Sequence, residues 1–231
     1  MNCSGFGLSA VLSLLSGQAV IQTTPPAEPK VERLGEHLVG IGAIRVDTKK
    51  KELGVPGFVN GVMVLEYLAN ARHGFKAYES ALELDATAVE FNLALILLGL
   101  DREKGVPSRF KFDPEPPQGD AVEVWVEWDV DGESRRIPAA ELIYNERTKE
   151  TFQRGPWVYT GSVLLPNGNY LAHLNGVLIG FMHTPESIVD SPLDLDGAYG
   201  MYRPNPNLGL DPRTPVRVIV NALEAEESER K

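Results

Sequence analysis

Lys76, Glu79 and Ser80 stand close together in the segment FKAYESAL, immediately ahead of the most apolar part of the chain. A lysine held beside a serine can activate the hydroxyl for attack when desolvation depresses the lysine pKa, and a neighbouring glutamate can orient it or share its proton. That is the chemistry of a hydrolase or transferase. On a strand Lys76 and Ser80 share one face and Glu79 takes the other, whereas a helical turn gathers all three. The segment reads as a strand leading into the helix that follows, so the expected role of Lys76 and Glu79 is to anchor a buried polar network. Ser162, in the turn Gly161-Ser162, is the further hydroxyl on which a catalytic arrangement would draw.

Other residues point to binding. Trp125 lies between Glu123, Glu127 and Asp129 on the face opposite a row of valines, and an aromatic ring beside carboxylates can stack on a sugar and accept its hydroxyl protons. Asp190, Asp194 and Asp196 alternate as the carboxylates of a calcium loop do, but Pro192 falls where the first ligand belongs and Arg203 where the closing glutamate belongs. A plain acidic loop is the better expectation, with a cation-stabilised domain as an outside alternative. The four histidines, His37, His73, His173 and His183, share no metal-ligand spacing. No Gly-x-Ser-x-Gly, phosphate-binding loop or His-Glu-x-x-His occurs. Gly5 to Ala10 spells a dinucleotide-binding pattern by letters, yet no strand precedes it. No cofactor is expected.

The elements that must position these residues are mostly strands. Val122, Val124, Val126 and Trp128 alternate with polar neighbours and Trp125, the period of a half-buried strand, and Asp131-Gly132 closes it into a hairpin. Residues 157–165, 170–174 and 177–181, separated by Asn167-Gly168 and Asn175-Gly176, predict a three-stranded meander. Shorter strands are expected over 38–46, 62–68 and 216–220, the last as a closing strand. One helix is expected over about 88–98, with Thr87 and Glu90 in capping-box spacing and Gly99 as its stop. LALILL at 93–98 is apolar on every face, which predicts a buried central helix. The fold class is therefore α+β, a largely antiparallel sheet assembly with hairpins, one buried helix, and long loops over 101–120 and 190–215.

The ends are different material. Residues 1–27 carry no charged side chain, and Phe6 to Leu15 is an apolar run of signal-peptide length followed by Gly17 and Ala19 in a small-x-small cleavage pattern. A signal over 1–19 is expected, although no Lys or Arg precedes the run. It is too short for a stable membrane span. Its removal would leave no cysteine, since Cys3 is the single one. Residues 20–36 read as a proline-rich spacer, 37–223 as one domain and 224–231 as a charged tail. The formal charge of −10 and the brevity of the runs Lys49-Lys50-Lys51 and Arg135-Arg136 exclude a protein that tracks nucleic-acid phosphates.

Taken in order, FKAYESAL, the helix FNLALILLGL, the strand VEVWVEWDVDG, the turn WVYTGS and the closing TPVRVIV make residues 38–223 resemble the YdjY-domain family. Members of that family are found largely in bacteria and often carry export signals. The resemblance implies no activity, cofactor or catalytic residue. Together these readings make the chain an extracytoplasmic binding or interaction domain, periplasmic or secreted, with a protein or small-molecule partner. A hydrolase or transferase built on Lys76, Glu79 and Ser80 is the alternative.

Overall fold

A computed structural model describes residues 28–193 and 200–223 of the chain. In chain order its first strands are β1 (Val31–Arg33), β2 (Leu38–Ile41), β3 (Ile44–Asp47), β4 (Glu52–Val59), β5 (Tyr67–Ala71) and β6 (Ser80–Leu84). Helix α1 (Ala88–Leu97) comes next. It is followed by β7 (Asp120–Val130), β8 (Glu133–Pro138), β9 (Ile143–Asn145), β10 (Glu150–Thr151) and β11 (Trp157–Tyr159). The short helix α2 (Leu171–Asn175) precedes β12 (Val177–Gly180), β13 (Val189–Asp190), β14 (Tyr202–Pro204) and β15 (Pro215–Ala222).

Pairing runs β4-β15-β7-β11-β13-β12-β5-β6 and returns from β6 to β4, so eight strands close into a barrel without a free edge. Strands β1 to β3 extend outward from β4, β8 pairs with β7, and β10-β9-β14 form a separate small sheet. The pairing is antiparallel except between β5 and β6 and between β12 and β13. The expected antiparallel assembly is present, but the molecule is a β-rich barrel with less helix than α+β implies. Its apolar core includes Leu53 and Val55 of β4, Val122, Val124 and Val126 of β7, and Val218 and Val220 of β15.

Local signals account for much of this. In β7 Val122, Val124, Val126 and Trp128 are buried while Glu123 and Asp129 are exposed, as the alternation requires. Asp131 and Gly132 take φ of 53° and 84°, the positive values of a tight hairpin turn joining β7 to β8. The capping box forms at α1: the Glu90 N–H donates to Thr87 Oγ1 at 3.2 Å, and the Thr87 N–H to Glu90 Oε2 at 2.8 Å. Gly99 follows the helix with φ of 94°.

Three expectations are corrected. Helix α1 is not buried all round: Ala88, Phe91, Ala94 and Leu95 face the core, whereas Ile96 and Leu97 are exposed, because β3, β12 and α2 touch only one side of it. The meander over 157–181 is absent: residues 171–175 are helical, and Gly176 is the left-handed residue that ends α2. Strand β5 begins later than expected and is buried along its whole length, including Asn70, so no alternation marked it. The closing strand at 216–220 does occur, as β15, and lies between β4 and β7. Within the expected spacer, Val31–Arg33 pair with β2 as a short exposed strand. The expected signal and the charged tail lie outside the described residues.

Candidate functional site

The segment holding Lys76, Glu79 and Ser80 is not a strand throughout. Ala77–Glu79 form a 3-10 turn and Ser80 starts β6, so the three residues come together. Lys76 Nζ lies 2.7 Å from Glu79 Oε1, and the Ser80 hydroxyl donates to the Lys76 carbonyl at 2.8 Å. Burial lowers the Lys76 pKa, but the hydrogen bond and charge of Glu79, with the Tyr78 hydroxyl, more than offset it and leave the pKa raised. A base would need the reverse shift. Ser80 is fully buried.

This turn leans on a belt of buried polar groups that the sequence reading missed. Lys76 Nζ stands 5.8 Å from the centre of the Tyr67 ring, and the Tyr67 hydroxyl donates to Glu186 Oε1 at 2.8 Å. Burial, and then the Glu186 carboxylate, push the Tyr67 pKa far above its ordinary value. Glu66, the residue before, is buried against Lys111 in an ion pair. The His183 ring donates from Nδ1 to the Asp113 carbonyl at 2.8 Å, while its Nε2 is buried with no hydrogen-bond partner among the described residues. Ser162 sits at φ of 56°, and its hydroxyl donates to the Pro185 carbonyl at 3.2 Å. No hydrogen bond among the described residues joins Ser162 to Lys76, Glu79 or Ser80. The available signal was the run HTPES at 183–187, a dense polar stretch beside apolar strands.

Asp190 belongs to the same belt. It is fully buried on β13 and accepts from the Thr184 N–H at 3.1 Å and the Ser191 N–H at 2.8 Å. Asp194 and Asp196 lie outside the described residues. Among the described residues no group of three or more His, Cys, Asp or Glu is placed to hold a metal ion.

Trp125 occupies a different place. Strand β11 pairs with β7 over Asp120 to Val122 and β8 pairs with β7 over Trp125 to Val130, which leaves Glu123 and Val124 between the two. A cleft of about 330 Å³ opens at this interruption, lined by Trp125, Trp157, Pro138, Pro156, Glu123 and Arg154 among others. The volume suits a ring-sized small molecule. The Trp125 Nε1–H donates to Glu123 Oε2 at 3.2 Å, and the Arg136 guanidinium lies 5.1 Å from the ring centre. Both contacts fix the orientation of the indole. Arg154 is ion-paired with Glu141, so the cleft carries both signs of charge over an apolar floor.

These features define a closed β-barrel domain with a side cleft and an internal polar belt. Within that class the chain belongs to the YdjY domain family, whose model matches residues 44–219. No curated protein and no solved structure matches the chain. Among the described residues no helix is long and apolar enough to cross a membrane.

Proposed function

We propose that this domain is an extracytoplasmic binding module that seats a saccharide ring against Trp125. The observation that carries the reading is the cleft at the break between β8 and β11, where an oriented indole, a carboxylate and a guanidinium line an apolar floor. An indole face covers the C–H side of a sugar, and Glu123 and Arg154 supply an acceptor and donors for its hydroxyls. The hydrolase or transferase alternative has weaker support: Lys76 is held in its charged form by Glu79, and the buried Ser80 hydroxyl is committed to a backbone carbonyl. The extracytoplasmic setting rests on the apolar run from Phe6 to Leu15.

The test is a titration of the full chain with a panel of mono- and disaccharides, read by tryptophan fluorescence and calorimetry. Binding that falls by about tenfold or more in Trp125→Ala, the loss expected of a stacked aromatic anchor, supports the proposal. No binding across the panel, or binding unaffected by the substitution, removes it.

A further inference from the structure

The backbone of β7 adds a feature to the Trp125 cleft that its side chains do not show. Successive residues of a strand turn their N–H and C=O groups toward opposite neighbouring strands. The Leu223 N–H donates to the Ala121 carbonyl at 3.0 Å, in line with the register that pairs Ala222 with Val122, so the odd-numbered residues of β7 face β15. The even-numbered residues face the other way. Asp120 and Val122 meet β11, and Val126, Trp128 and Val130 meet β8. Val124 meets neither strand.

Prolines flank the gap. Pro138 ends β8 opposite Trp125, and the chain then leaves the ladder in a 3-10 helix over Ala139–Leu142. Strand β11 starts at Trp157, directly after Pro156. A single even-numbered position of β7 is left open between them, and no hydrogen bond among the described residues reaches the Val124 N–H or C=O. Val124 is 4% exposed and lines the cleft, so these groups are enclosed and yet border an opening. Enclosed backbone groups are satisfied by solvent or by a ligand when the chain itself does not pair them.

The shape of the opening selects its occupant. A peptide that adds as a strand needs a free edge several residues long, whereas β8 and β11 here stand at both ends of one position. The occupant must be compact, bring an acceptor and a donor to the same side, and lay a flat C–H face on Trp125. It must also cover the apolar wall formed by Pro138, Pro156 and Trp157. Hydroxyls alone supply the polar atoms and leave that wall bare. An acetamido sugar meets every requirement: its carbonyl accepts from the Val124 N–H, a neighbouring ring hydroxyl donates to the Val124 C=O, its methyl covers the prolines, and its ring lies on the indole.

We propose that the cleft is specific for an acetamido sugar, with the Val124 backbone reading the acetamido substituent. This rests on the saccharide reading of the Trp125 site and narrows it to one substituent.

The experiment titrates the full chain, carrying isotope-labelled valine, with N-acetylglucosamine and with glucose, read by calorimetry and by NMR of the valine amides. N-acetylglucosamine should bind about tenfold more tightly than glucose, the difference that added hydrogen bonds to an otherwise unpaired group supply. It should also slow hydrogen exchange at the Val124 amide and leave Val122 and Val126, which already have ladder partners, little changed. Equal affinity for the two sugars, or tight N-acetylglucosamine binding with the Val124 amide unaffected, overturns this inference and leaves the saccharide reading standing. Protection of Val124 by N-acetylvalinamide and not by the sugar makes the gap a peptide site and overturns it as well. If neither sugar binds, both readings fall together.

Discussion

Asp190 is a carboxyl enclosed on β13, and burial pushes its pKa up to about 6, with the Thr184 N–H, the charge of His183, the Ser191 N–H and the Ser187 hydroxyl pulling the other way. The folded protein therefore takes up a proton at a pH where the unfolded carboxyl, with a pKa of 3.8, stays ionised. Between those two values the native state binds more protons than the unfolded state, so stability grows as pH falls through 6 and is lost again as pH rises. Denaturant midpoints measured between about pH 7 and pH 4 should show this slope in the wild type and not in Asp190→Asn. A slope that survives the substitution belongs to another group. Asp113 acts in the opposite sense at lower pH: the Arg109 hydrogen bond holds its pKa well below the usual carboxylate range, so its contribution is present above about pH 4 and is lost as pH falls further. Lys76 and Glu79 make a second residue-scale case, because each side chain is more than four-fifths covered and each is the other's counter-ion. Removing either leaves a covered charge unpaired, and Lys76→Ala or Glu79→Ala should each cost about 3 kcal/mol in denaturant unfolding. Losses of about 0.5 kcal/mol or less would count against a structural role for the pair.

At the scale of elements, Gly168 and Gly176 provide an internal comparison. Each follows an asparagine and each has a positive φ, 83° and 78°. A Cβ on Gly168 would meet nothing within 4 Å, whereas one on Gly176 would lie 2.6 Å from the Gly74 backbone. Gly168→Ala should therefore cost about 1 kcal/mol, the penalty of the left-handed conformation, and Gly176→Ala clearly more, as measured by thermal or denaturant unfolding. Equal losses would show that the contact with Gly74 relaxes. The same pair explains why the meander was misread: Asn-Gly serves a hairpin turn and a helix end equally well, since both need a left-handed residue. Only the helix formers Leu171, Ala172 and Leu174 distinguished them, over a segment shorter than the period of a helix pattern can resolve. Asp131-Gly132 was legible because strong alternation in β7 fixed its context. Thr87 and Glu90 were legible because a capping box is complete within four residues. The turn at Ala77–Glu79 was not, because a single 3-10 turn leaves no repeat to count.

For the whole molecule, the expected export makes the most direct prediction. Protein recovered from its native host should begin near Val20 and lie outside the cytoplasm, as read by N-terminal sequencing of fractionated cells. Full-length chain in the cytosol would end that expectation. The strand content of the domain was readable, but its closure into a barrel was not. Periodicity reports which face of a strand is buried and is silent on its neighbour, and the register Val218↔Val55 joins residues at opposite ends of the domain. The belt around Tyr67, Glu186 and Asp190 escaped for the same reason, since its members come from separate strands and loops. Trp125 was legible as a candidate because its misfit within β7 is local, while the cleft beside it depends on where β8 stops and β11 starts. The position of β15 has a temporal consequence. Strands β4 and β7 are each hydrogen-bonded to it, so neither acquires that partner until residues 215–222 have left the ribosome. Until then both carry an open edge, and the high contact order of their eventual pairing makes the last step slow. The barrel of this chain therefore closes only once its last strand is available, and the pairing that completes it is made after the rest of the domain has been synthesised.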